Sequence, residues 1–176
     1  MKKFRSVLTG ALLTILAGVS LFGLAACGGT QTLPDGTYNG VPTGAGVMTG
    51  SFTGNVYNLG ISDEPSPTAV LTVGANNVIG ITIGVGSFYF INTNAVGQEA
   101  TEWKYVLSNN QITVQQKLPN GGAWEDWNGS AQATINTNIL KTLTGTFNET
   151  TGVITIVCTA TQGGDSISRT FEFTQA

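Results

Sequence analysis

From Leu33 onward the chain alternates apolar and polar residues with a period of two, and no window holds the 3.6-residue period of a helix. The pattern is sharpest near the C-terminus. Ile139–Phe147, Val153–Thr161 and Ser166–Thr174 predict three strands of about nine residues, joined by the short links 148–152 and 162–165. Short links force antiparallel neighbours, so this end is a meander. Upstream, Thr101–Ser108 and Gln111–Leu118 form a hairpin across Asn109-Asn110, a pair that tolerates the positive φ of a type I′ turn. Thr68–Val73 and Val78–Val85 pair across Gly74–Asn77 in the same way.

The remaining text is less regular. A strand is expected near Thr37–Val41, a loop over Pro42–Gly46 and a long strand over Val47–Leu59. Asp63–Pro67 carries two prolines and reads as a stiff loop. Val85–Ile91 adds Phe88, Tyr89 and Phe90 in succession, as in a strand covered on both faces or one whose outer face meets an apolar partner; Asn92–Ala100 is a loop, and Ala123–Ile135 a further extended stretch. The class is all-β. Tight hairpins between long strands favour a small up-and-down barrel, which removes exposed edges, with a two-sheet sandwich as the alternative.

The first 26 residues follow a different pattern. Lys2, Lys3 and Arg5 form a basic head, and the run from Val7 to Leu24 has no charge. Such a head, apolar core and small-residue end are the parts of a secretory leader, expected as a signal helix. The leader resembles the signal peptide of bacterial lipoproteins, whose lipobox is matched by Leu24-Ala25-Ala26-Cys27. The resemblance implies acyl attachment to the Cys27 sulfur and cleavage before it. The chain then lies on the extracytoplasmic side of the membrane, in the cell envelope, and more than one acyl chain makes the anchoring stable. The expected organisation is a signal peptide at 1–26, a lipidated cysteine with a polar tether at 27–32, and one β domain at 33–176.

Charge and cysteine usage narrow the functions. The leader holds three of the seven basic residues, so four remain against ten acids, a net charge of −6. Nucleic acid, which requires a basic patch, is excluded as a partner. No histidine is present, which removes Ser–His and Cys–His dyads and the commonest metal ligand. With Cys27 acylated, Cys158 is the remaining thiol; it lies in phase with Ile154 and Ile156 and reads as a small buried residue. No catalytic residue, cofactor or metal is expected.

Four side chains stand out as a candidate ligand site. Lys141 and Arg169 interrupt apolar faces, and an inward charge must be paired or meet a polar ligand. Trp124-Glu125-Asp126-Trp127 places one indole on each face of a strand, so one belongs to the core and one to a rim, where an indole beside carboxylates suits a sugar. Glu125 and Asp126 point to opposite faces and do not form a glycosidase pair. The opening Asp35-Gly36-Thr37-Tyr38 and the closing meander Gly145-Thr146-Phe147…Gly152-Val153-Ile154 resemble calycin-like bacterial lipoproteins. Their lipocalin relatives carry Gly-x-Trp on the first strand, where this chain has Gly36-Thr37-Tyr38, and a late basic residue packed over it, for which Arg169 is the counterpart. The function expected is a non-catalytic lipoprotein binding a small apolar or carbohydrate ligand. The alternative is an envelope structural module whose partner is a protein.

Overall fold

A computed structural model describes residues 31–49, 66–86, 88–94, 102–119, 121–127 and 140–176. The chain divides into two units, Met1–Thr30 and Gln31–Ala176, and the described residues all belong to the second. They form ten strands: β1 Gly36–Thr49, β2 Thr68–Gly74, β3 Val78–Val85, β4 Phe88–Asn92 and β5 Glu102–Ser108, followed by β6 Gln111–Lys117, β7 Glu125–Asp126, β8 Leu140–Asn148, β9 Val153–Gln162 and β10 Asp165–Gln175.

Eight of them close an antiparallel barrel in sequence order: β1-β2-β3-β5-β6-β8-β9-β10 and back to β1. The barrel replaces the sandwich alternative. β4 and β7 are additions, pairing with β3 and β6 respectively.

The turns follow their sequence chemistry. Asn109 and Asn110 have φ of 50° and 62°, as a type I′ hairpin requires, and Asn76 and Asn77 both have φ of 62° at the β2–β3 turn. Two expectations are corrected. Pro42–Gly46 is part of β1 rather than a loop, because β2 accompanies β1 only from Gly36 to Gly40. Beyond that point one flank of β1 has no described ladder partner, and a proline costs no hydrogen bond there. The run Val85–Ile91 is split by Gly86 (φ 57°), which turns the chain from β3 into β4. Of the expected strands over Val47–Leu59 and Ala123–Ile135, and the loop over Asn92–Ala100, residues 50–59, 95–100 and 128–135 lie outside the described residues, as do Cys27 and the leader.

An eight-strand barrel has an interior that side chains can just fill, and here they do. Tyr38, Leu71, Ile81, Tyr105, Ile112, Ile154, Ile156, Phe171 and Phe173 all bury there. One end is closed by the chain's own entry segment. Leu33 is buried, and its N–H donates to Tyr105 Oη at 2.9 Å, while Tyr38 Oη donates to the Pro34 carbonyl at 2.7 Å. Gln31, expected in the tether, is bonded to the barrel: its Nε2 donates to Asn110 Oδ1 (3.1 Å) and Glu149 Oε1 (2.6 Å), and its Oε1 accepts from Asn110 N (3.2 Å).

Gly145 shows how tightly the wall is packed. A Cβ there would collide with the Thr155 carbonyl oxygen and lie 2.6 Å from Ile156 Cδ1. The carbonyl belongs to the β8–β9 ladder and cannot retreat. Gly145→Ala is therefore expected to lower stability by about 1–3 kcal/mol, measured by urea denaturation of the full chain. Tyr105→Phe should cost a similar ~1–3 kcal/mol, because it strands the buried Leu33 N–H.

Candidate functional site

The opposite end of the barrel is built differently. β3 and β5 pair only at Val78↔Lys104, and β6 and β8 only from Gln111↔Thr146 to Thr113↔Thr144. Past these short seams the β5–β6 hairpin parts from its neighbours. β4 lies along the flank of β3 there, and β7 along that of β6. Each addition brings one aromatic side chain into the interior.

From β4, Phe90 and Ile91 are both buried although they are consecutive, while Tyr89 stays partly exposed. A bulge in the β3–β4 ladder, where Ile83 faces Ile91 and Gly84 faces Tyr89, leaves Phe90 as the extra residue and lets neighbours both bury. The Tyr89 face of the strand is not covered. Just after β7, Trp127 donates its backbone N–H to the Val114 carbonyl (2.9 Å) and buries its ring. Phe90 and Trp127 meet edge to face with centroids 5.9 Å apart, and Trp103 of β5 lies 6.3 Å from Trp127. Three aromatic rings thus fill this end.

Polar atoms sit among the rings. Gln116 is fully buried; it faces Trp103 across the β5–β6 ladder, and its Nε2 donates to Glu125 Oε1 at 2.9 Å. Its Oε1 and the indole Nε1 atoms of Trp103 and Trp127 are buried with no hydrogen-bond partner among the described residues. Native interiors leave few such atoms, because each costs about 1–3 kcal/mol. Lys141 of β8 reaches the same cluster. Its Nζ donates to the Phe90 carbonyl (3.1 Å) and lies 4.9 Å from the Phe90 ring centroid.

The four expected site residues are therefore separated. Trp127 and Lys141 share the aromatic cluster. Trp124 lies half-buried on the outer face, where Lys104 Nζ stands 4.3 Å and Lys117 Nζ 5.9 Å from its ring centroid, with Lys117 paired to Glu102 at 3.0 Å. Glu125 and Asp126 point to opposite faces, Glu125 to Gln116 and Asp126 to Gln115 (2.9 Å).

Arg169 keeps its phase with Ile167 and Phe171, since the β9–β10 register is unbroken, and it faces Cys158 on β9. On its other side three residues of β1, Gly44–Gly46, bulge against it alone. It does not pack over Tyr38 in the lipocalin manner. Tyr38 faces Gln175, six residues from Arg169 and roughly 20 Å away along the strand.

Gln116 is the residue that sequence reasoning missed. It falls in phase with Ile112 and Val114, and a polar side chain at an inward position was the available signal. Comparison of the chain with protein-family models, curated proteins and solved structures found no match.

Burial pushes the Cys158 thiol well above its ordinary range, so it stays protonated and unreactive. A thiol reagent such as Ellman's should leave Cys158 untouched in the folded protein at pH 8 and modify it fully in urea. Burial also holds Lys141 below its ordinary value of 10.5. Between its folded and unfolded pKa the unfolded chain binds the more protons, so the lysine's contribution to stability rises with pH in that window. The stability of Lys141→Met relative to the parent should accordingly fall as pH climbs toward 10.5, as urea titrations at successive pH values would show.

Proposed function

We propose that this chain is a lipid-anchored protein of the cell envelope whose barrel binds a small apolar or carbohydrate ligand at its aromatic end, without transforming it. The observation that carries the binding reading is the set of buried polar atoms left without partners among Phe90, Trp103 and Trp127. A fold that tolerates such a cost at one end, while bonding its polar groups at the other, has a use for it.

The anchor reading rests on the lipobox Leu24-Ala25-Ala26-Cys27. The up-and-down strand order supports a calycin-like relationship, although the distance between Tyr38 and Arg169 removes one of its marks. A binding rather than catalytic role agrees with the lack of histidine and with the shielded Cys158 thiol.

Val41, Val47 and Met48 are exposed along β1 and favour the second reading, an interaction module that meets another envelope protein through this strand. Thermal unfolding separates the two readings. Saturation with a ligand raises the melting temperature, so a member of an apolar or sugar panel should do so. If none does, the interaction reading takes precedence.

The anchor is tested independently. In a bacterial host, labelled fatty acid should appear on the full chain, and Cys27→Ser should abolish both the label and membrane association. Unlabelled but membrane-free parent protein would sink the anchor reading.

A further inference from the structure

The three unpartnered atoms at the aromatic end define what a ligand there must offer. Trp103 Nε1 and Trp127 Nε1 are donors, and Gln116 Oε1 is an acceptor whose own amide N–H is engaged by Glu125. All three side chains are at least nine-tenths buried. They also belong together: Gln116 faces Trp103 directly across the ladder, where Cβ atoms lie ~5 Å apart. The Trp103 and Trp127 rings are 6.3 Å apart.

Ligand classes differ in how many of these atoms they satisfy. A hydrocarbon satisfies none. A carboxylate accepts from both indoles but brings only lone pairs to Gln116 Oε1, and the Lys141 ammonium beside the cluster already donates to the Phe90 carbonyl. An alkylammonium donates to Gln116 and leaves both indoles empty. A hydroxyl both accepts and donates, so a pair of adjacent hydroxyls serves all three atoms at once. The walls add a second requirement, because the aromatic rings need an apolar face against them. Neutral sugars combine the two: hydroxyls around the edge and C–H groups on the ring face.

Phe90 of β4 and Trp127, just after β7, stand outside the eight-strand ladder. A sugar ring that exchanged their edge-to-face contact for its own would leave the closed ladder intact.

We infer that the aromatic end is a subsite for a neutral sugar, with Trp103 and Trp127 donating to its hydroxyl oxygens and Gln116 accepting a hydroxyl proton. The inference rests on the binding reading above and narrows it to one of its two ligand classes. Residual hydration of the same atoms is the competing account, and it requires no saturable response to sugars.

The chain has three tryptophans, so three indole N–H resonances report on the outcome in 15N NMR of the full protein. D-glucose, D-galactose and D-mannose are the sugar probes, and toluene is the apolar one. A sugar should shift the Trp103 and Trp127 signals saturably and leave that of Trp124, on the outer face, in place. Trp103→Phe and Gln116→Leu should each weaken that sugar about tenfold, the worth of one hydrogen bond near the upper end of the usual range. Gln116→Leu also gives up the bond to Glu125 and Trp103→Phe trims a buried ring, so both variants are first shown to be folded by the unchanged remainder of their spectra. The weakened sugar titration is then the readout that a merely structural role would not move.

If no sugar shifts the two indoles, the inference is overturned. Toluene then decides the broader reading: binding survives with an apolar ligand if toluene shifts them, and falls with the inference if it does not.

Discussion

Hydrogen-bonded closure of the meander is the constraint from which the rest of this structure follows. β10 must reach back along β1, and it does so from Tyr38↔Gln175 to Thr49↔Ser166. Closure fixes eight strands, and eight strands fix an interior that side chains fill rather than a channel. It also fixes which residues face inward, since each strand has one phase and the ladder admits no slip without turning the apolar set outward. Gly40 and Gly145 belong to this requirement. A Cβ at Gly40 would lie 2.5 Å from Phe173 Cε1, and one at Gly145 would strike the β9 backbone.

The closure is uneven. At the entry end, Leu33 fills the barrel mouth and its N–H meets Tyr105, while Gln31 joins the two hairpin turns through Asn110 and Glu149. At the far end the seams beside the β5–β6 hairpin are short, and the additional strands supply the missing walls. At the entry end the buried tyrosine hydroxyls are bonded to the backbone. The irregular part gathers three aromatic rings around polar atoms without partners.

This difference explains what could be read from the residues. The three C-terminal strands are visible to within a residue or so, because period-two alternation and the tight turns at Gly152 and Gly163-Gly164 (φ 70°, 59° and 99°) specify them locally. The Asn109-Asn110 hairpin was equally plain. The division of labour between the two indoles was legible too, because alternation sends Trp124 and Trp127 to opposite faces. What was not legible depends on partners far along the chain. Nothing local says that β2 leaves β1 after Gly40, which is what allows Pro42 inside a strand. Nothing local brings Phe90 to Trp127, or separates Tyr38 from Arg169. Gln116 shows the limit most clearly: its phase marks it as inward, but its environment is set by Trp103 across the ladder and by Glu125 on a two-residue strand.

Polar groups inside the barrel are therefore best judged by position rather than by number. Lys141 tolerates burial because the Phe90 carbonyl and ring receive its ammonium, at the cost of a lowered pKa. Tyr105 and Tyr38 tolerate it because each hydroxyl has a backbone partner. Gln116 is half satisfied and the two inner indoles are not, yet apolar substitutes such as Leu or Phe would pack the same space without that penalty. Packing alone does not account for their presence. The sugar proposed above would account for it, at the place where the ladder is thinnest.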